Sequence, residues 1–125
     1  MYQKVMLIGN VGRDPELKYL PSGKAICNFS VATSERRFDA DGNASDHTTW
    51  WRVTAWGKTA EAVEKYVKKG SKVLVDGKMN PDTNGNPRVF QKQDGSWHAN
   101  YEMDAQTVRF LDGKQEEDEG DGQPY

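Results

Sequence analysis

Apolar and polar residues alternate with a period of two along much of the first half of the chain. Residues 25–33, AICNFSVAT, set Cys27, Phe29 and Val31 against Asn28, Ser30 and Ala32, while residues 3–9, QKVMLIG, form a short apolar run closing at Gly9-Asn10. Both patterns predict β-strands, because successive strand side chains point to opposite faces. Asp14-Pro15 and Pro21-Ser22-Gly23 are turn signals around a short extended piece, Glu16 to Leu20. A third strand is predicted over 48–56, after a polar loop at 36–47 whose Asp41-Gly42-Asn43 suits a tight hairpin turn. After Gly57 the period lengthens toward 3.6: Ala60, Val63, Tyr66 and Val67 fall on one side, with Glu61 and Glu64 early and Lys65, Lys68 and Lys69 late. This predicts a helix, capped by Thr59 and ended by a left-handed Gly70. Strands resume at 71–79, 88–93 and 101–111, with a hairpin signalled by Asn84-Gly85-Asn86 and a second turn at Asp94-Gly95. The last strand's apolar set changes parity between Ala105 and Val108, which predicts a β-bulge.

Three strands, one helix and further strands fit an all-β domain with one helix. The expected architecture is the OB-fold, a five-stranded Greek-key barrel with its helix between strands 3 and 4. A split α+β sandwich is the competing arrangement. The domain is expected over residues 1–111. Residues 112–125, DGKQEEDEGDGQPY, hold no aliphatic side chain and predict a disordered acidic tail.

Charge sharpens that division. The whole chain of 125 residues carries −2, with 17 bases and 19 acids. The tail holds six of the acids and one base, so residues 1–111 carry 16 bases against 13 acids, a net +3. A mildly basic body is compatible with nucleic-acid binding. No window approaches the ~20 apolar residues of a membrane span, and MYQKVMLIGN enters a strand without a signal-peptide pattern. A cytoplasmic setting is therefore expected, with no membrane partner. The single cysteine, Cys27, has no disulfide partner in the chain and reads as a buried hydrophobe.

The densest candidate chemistry is TTWWRVTAWGK at 48–58, with three tryptophans in seven residues. Alternation puts Thr48, Trp50, Arg52, Thr54 and Trp56 on one face and Thr49, Trp51, Val53 and Ala55 on the other. Two indoles flanking a guanidinium are a poor core and a good stacking surface for unpaired bases, worth ~1–3 kcal/mol per base. The plainer reading packs both rings under a loop or against a subunit. Basic residues flank other aromatics: Arg36 and Arg37 beside Phe38, and Arg88 and Lys92 around Phe90, with Lys58, Lys68, Lys69 and Lys72 nearby in sequence. Any one of these lysines is also explained as solvated surface. No nucleophile elbow, Walker loop or zinc pattern occurs, so no enzyme, metal or cofactor is expected. Asp39 to Asn43 resembles a calcium loop, but its glycine comes two places early and Trp50 stands where the bidentate Glu belongs; it reads as a turn. Gly9-Asn10-Val11-Gly12 lacks the helix of a phosphate-binding loop and reads as a bend.

With these residues in view, the chain resembles the bacterial and phage single-stranded DNA-binding protein family. The matching words are KVMLIGNVGRDPELKY at 4–19, PSGKAICNFSVATSE at 21–35, TTWWRVTAWGKTAE at 48–61 and YVKKGSKVLVDGKM at 66–79. The resemblance implies an OB-fold that assembles usually as a homotetramer, with a dimer as the other possibility for this chain. It implies binding of single-stranded DNA without strong sequence preference, in replication, recombination and repair, and no chemistry. Trp50 and Trp56 occupy family stacking positions and Phe90 matches a third. Arg52, Lys58, Lys69 and Lys4 match basic positions on the same path. Another family stacking tryptophan aligns with Arg37, so that site is served either by the neighbouring Phe38 or by a phosphate contact from Arg37. Trp51 falls at a position of subunit contact. The family's acidic tip, which docks replication and repair proteins, corresponds to Asp118, Glu119, Asp121, Pro124 and Tyr125, although the chain ends in Pro-Tyr rather than Pro-Phe. Three rival readings are an apolar protein-interaction module, an RNA- or tRNA-binding OB module, and a nuclease using Asp39 and Asp41.

Overall fold

The computed structural model describes residues 1–112. The tail expected to dock partner proteins lies outside the described residues. Strand β1, Val5–Val11, is followed by the short β2, Glu16–Tyr19, and the long β3, Ala25–Phe38, and β4, Ala44–Trp56. Helix α1, Gly57–Tyr66, leads to β5, Lys72–Met79; a small hairpin of β6, Val89–Gln91, and β7, Trp97–Ala99, precedes β8, Tyr101–Phe110. The main sheet runs β1-β5-β8-β4-β3-β2, and a β1–β3 pairing closes five of its strands into a barrel, with β2 added outside β3. This is the expected OB-fold.

Closure depends on β1 passing from one neighbour to another. Val5 to Asn10 pair with β5, whereas Asn10 and Val11 also pair with Ala32 and Val31 of β3. Gly9 sits where a Cβ would run into the Ala32 carbonyl and the Val31 side chain, so the strands can cross only at a residue without a side chain. Gly9 to Val11 of the expected bend therefore belong to a continuous strand changing partners, and the chain bends at Gly12 and Arg13. The parity change in β8 is a bulge: Asp76 pairs with Thr107 and Gly77 with Ala105, leaving Gln106 extra.

Inward positions fill the barrel with Leu7, Cys27, Phe29, Val31, Val53, Val73, Val75 and Met103, all buried, and α1 closes it with Ala60 and Val63, followed by Val67. Burial pushes the Cys27 thiol up to about 11.

Four local expectations are corrected. Residues 36–47 are mostly strand: β3 and β4 continue as a two-stranded ribbon in which Ser34 pairs with Thr48 and Arg36 with Asp46, closed by a turn at Asp39–Asn43. Helix α1 starts at Gly57 with Trp56 as N-cap and no side-chain cap, so Thr59 lies inside the helix. The helix ends at Tyr66, and Gly70 takes its positive φ of 90° in the following turn, where its N–H bonds the Val11 carbonyl. The turn at Asn84-Gly85 links β5 to β6 without pairing them.

Candidate nucleic-acid interface

Strand parity divides the three β4 tryptophans. Val53 and Ala55 are fully buried and Trp51 is half-buried, its ring 5.2 Å from that of Tyr101 on β8. On the opposite face Trp50 is 53% exposed, Trp56 is 37% exposed and Arg52 is exposed. Thr54 is the buried member of this face, and its hydroxyl donates to Asn28 Oδ1 at 2.9 Å. Among the described residues Arg52 makes no ion pair and no side-chain hydrogen bond, which leaves its guanidinium available.

The neighbouring strands shape this face. Ala32 lies opposite Trp50, Ser30 opposite Arg52 and Ile26 opposite Trp56 on β3, while β8 runs parallel to β4 and sets Glu102 beside Arg52. The turn after β1 brings Gly12 under Trp50, where an added Cβ would lie 2.5 Å from Cζ3 of the indole. A groove of about 340 Å³ results, lined by Gly12, Arg13, Ser30, Trp50, Trp51, Arg52 and Asn100. Arg13, Ser30 and Arg52 also line an adjoining hollow of about 130 Å³ toward Asn28. Two arginines thus stand beside an exposed indole, a combination that supplies a stacking plane and phosphate attraction together. At the other end of the face the Lys24 ammonium lies 5.3 Å from the centre of the Trp56 ring.

The remaining sequence-predicted residues are dispersed around this groove rather than in it. Phe38, 67% exposed, is at the ribbon's end with the parity of Trp50 and Arg52, whereas Arg37 has the opposite parity and bonds Glu35 at 3.2 Å. Parity therefore puts Phe38, not Arg37, in line with the tryptophan face. Lys58 is exposed in the first turn of α1, two residues after Trp56. Lys69 is exposed in the turn behind α1, with its backbone N–H bonded to Asp14. Lys4 lies 3.9 Å from Asp76, and Arg88 lies 3.9 Å from Glu102 while donating to the Pro81 carbonyl at 3.0 Å. Phe90 is 39% exposed on β6, its ring stacked on His98 across the hairpin.

Sequence reasoning missed Arg13, Asn100 and Trp97. Arg13 and Asn100 reach the groove only through the crossing of the β1–β2 turn and the parallel β4–β8 pairing, which no local pattern signals. Trp97, 67% exposed on β7, was legible as an aromatic beside the Asp94-Gly95 turn. The Asp39 carboxylate accepts from the Asp41 and Asn43 amides at 2.9 Å, and these bonds, the Asn43 amide foremost, hold it below the usual carboxylate range. That binds it into its own turn. Among the described residues no helix is long and apolar enough to cross a membrane, and no three His, Cys, Asp or Glu side chains are grouped to hold a metal ion.

The single-stranded DNA-binding protein of Neisseria meningitidis serogroup A is 40% identical over 122 residues, covering 98% of this chain and 66% of that protein. The chain thus spans just under two thirds of that relative's length. The single-stranded DNA-binding protein of Wolinella succinogenes is 37% identical over 114 residues, covering 91% of this chain and 67% of that one. Among solved structures, the Plasmodium falciparum SSB in complex with ssDNA superposes with a TM-score of 0.71 at 28% identity, over 90% of this chain and 96% of its own. The small single-stranded DNA-binding protein of Streptomyces coelicolor, at 22% identity and a TM-score of 0.70 over 86% of this chain and 93% of its own, shares the fold. The model of the single-strand binding protein family matches residues 2–111, and with these relatives it shows that the chain belongs to that family.

Proposed function

We propose that the protein binds single-stranded DNA without strong sequence preference, coating and protecting it in replication, recombination and repair, and performs no chemistry on it. The observation that carries this reading is the outer face of β4, where exposed Trp50 and Trp56 flank an exposed Arg52. Bases of a single strand stack on the indoles, and Arg52 with Arg13 attracts the backbone; duplex bases, already stacked on one another, gain nothing there. Phe38, Lys58 and Lys69 extend the path, with Phe90 and Arg88 on the β6–β7 hairpin and Lys4 at the start of β1. The relatives named as single-stranded DNA-binding proteins, and the solved SSB complex with ssDNA, support the same ligand.

Self-association is part of the proposal. Along Val5 to Ile8 one edge of β1 pairs with β5 and the other has no strand partner among the described residues. Met6 and Ile8 stand exposed on the outer side. A second copy adding its own β1 would pair the edge and cover both side chains, in a dimer that doubles into a tetramer. The acidic tip, with Asp118, Glu119, Asp121, Pro124 and Tyr125, is assigned the docking of replication and repair proteins.

The test is titration with poly(dT) read by tryptophan fluorescence. Quenching is expected, with affinity falling on a log–log salt plot by about 0.7 per phosphate neutralised. Absence of quenching, or equal affinity for duplex DNA, overturns the reading, and preference for an oligoribonucleotide of equal length reassigns the ligand to RNA. Native mass with and without oligo(dT) reports the stoichiometry, and a monomer at all concentrations overturns the proposed β1 contact.

A further inference from the structure

The β6–β7 hairpin stands apart from the barrel sheet as a ladder of its own, pairing Val89 with Ala99, Phe90 with His98 and Gln91 with Trp97. Its two faces differ in kind. Paired residues share a face, so Val89, Gln91, Trp97 and Ala99 make an uncharged side. The other side carries Phe90 and His98, with Lys92 and Ser96 next along the same parity.

On that second face the rings of Phe90 and His98 are stacked, with centroids 5.9 Å apart and planes 29° apart. The imidazole is held from below. Ser96 Oγ donates to Asp94 Oδ1 at 2.6 Å and lies 2.8 Å from His98 Nε2. Because the Ser96 proton goes to the carboxylate, its oxygen is left to accept, and Nε2 must be the donor. The chain therefore runs from an N–H of His98 through Ser96 to an anion. The Ser96 hydroxyl and N–H hold the Asp94 carboxyl below the usual carboxylate range, so the anion persists. His98 is exposed and its Nδ1 makes no hydrogen bond among the described residues, so a protonated ring has a second N–H left to donate.

We propose that Phe90 and His98 form one composite stacking platform, in which the imidazole, positioned by Ser96 and Asp94, adds a proton-dependent cationic contact to the backbone of bound single-stranded DNA. This rests on the DNA-binding reading above. The charged groups facing His98 are few: Asp94 through Ser96, and Lys92 on the same face. Arg88, at the base of the hairpin, is turned toward Pro81 and Glu102. Histidine is the side chain whose charge ordinarily changes between about pH 5 and 8.

The experiment measures affinity of the full chain for oligo(dT), whose thymines do not titrate in this window, at several salt concentrations at pH 5.5 and 8.0. The wild type is expected to bind more tightly at pH 5.5, with a log–log salt slope steeper by about 0.7, the signature of one more neutralised phosphate. His98→Gln, which stays neutral at both pH values, is expected to lose that difference while still binding. The other histidine, His47, bonds Ser45 on the β3–β4 ribbon, and His47→Gln is expected to keep it. A wild type that binds equally at both pH values overturns the proposal, as does a pH difference surviving His98→Gln. Failure to bind oligo(dT) at any pH instead overturns the DNA-binding reading itself.

Discussion

Gly12 is the residue against which Trp50 rests, and Gly12→Ala separates the binding face from the fold. The new Cβ would lie 2.5 Å from Trp50 Cζ3 and 2.9 Å from both Cη2 and Ser30 Oγ, whereas carbon atoms settle at ~3.5–4.0 Å. The ring must therefore withdraw by about 1 Å. Gly12 does not occupy a left-handed conformation, so alanine brings no backbone strain there, and the half-exposed indole is free to swing into solvent. Stability should change by no more than about 1 kcal/mol. The stacking plane, however, is moved away from Arg52, and a lost base stack is worth ~1–3 kcal/mol, roughly 5- to 160-fold in Kd. Fluorescence titration with oligo(dT), alongside a thermal melt, reads both quantities. Because Gly12→Ala acts through Trp50, its effect should vanish in a Trp50→Ala background, a non-additive double-mutant cycle. Wild-type affinity in Gly12→Ala, or full additivity with Trp50→Ala, would refute the reasoning.

Gly77→Ala should behave in the opposite way, because its Cβ would be driven into the Asp104 backbone at the bulge, where neither barrel strand can yield; a loss of about 3 kcal/mol in urea unfolding is expected, and a loss under about 0.5 would contradict the packing. Arg52→Ala should weaken oligo(dT) binding and flatten the salt slope by about 0.7 if the guanidinium meets one phosphate, so an unchanged slope removes it from the interface. Cys27 titrates at about 11 in the folded protein, above its ordinary value. Over that window the unfolded chain binds fewer protons than the folded one, and unfolding free energy should fall as pH rises from about 9 to 11. Cys27→Ala should lessen that decline, measured by chemical unfolding at stepped pH; an identical decline in both proteins would show that the thiol has no part in it.

The sequence displays whatever rests on local alternation. Trp50 and Trp51 are adjacent, yet period two sends one to solvent and the other onto Tyr101, and the same count put a bulge between Ala105 and Val108, where the register leaves Gln106 extra. The ribbon at 34–38 and 44–48 was hidden because it stands clear of the core. With no buried face there is no apolar alternation, and its pairing rests on backbone bonds and polar partners such as Arg36 with Asp46. The helix start was misread because Thr59 has the chemistry of a cap, whereas Gly57, with φ of 63°, turns the chain out of β4 two residues earlier. Arg13 and Asn100 carry no local signal at all; only barrel closure brings them to Trp50. Register also orders two residues that sequence left level, aligning Phe38 with the tryptophan face and turning Arg37 toward Glu35.

The most direct test of the account is the affinity of Trp50→Ala/Trp56→Ala for oligo(dT), with circular dichroism and thermal melting confirming an intact barrel. Both rings are on the outer face and outside the core, so the fold should survive. Removal of two stacking planes should weaken binding by about 2–6 kcal/mol. A folded double variant that binds oligo(dT) as tightly as the wild type would contradict the claim that this face holds single-stranded DNA.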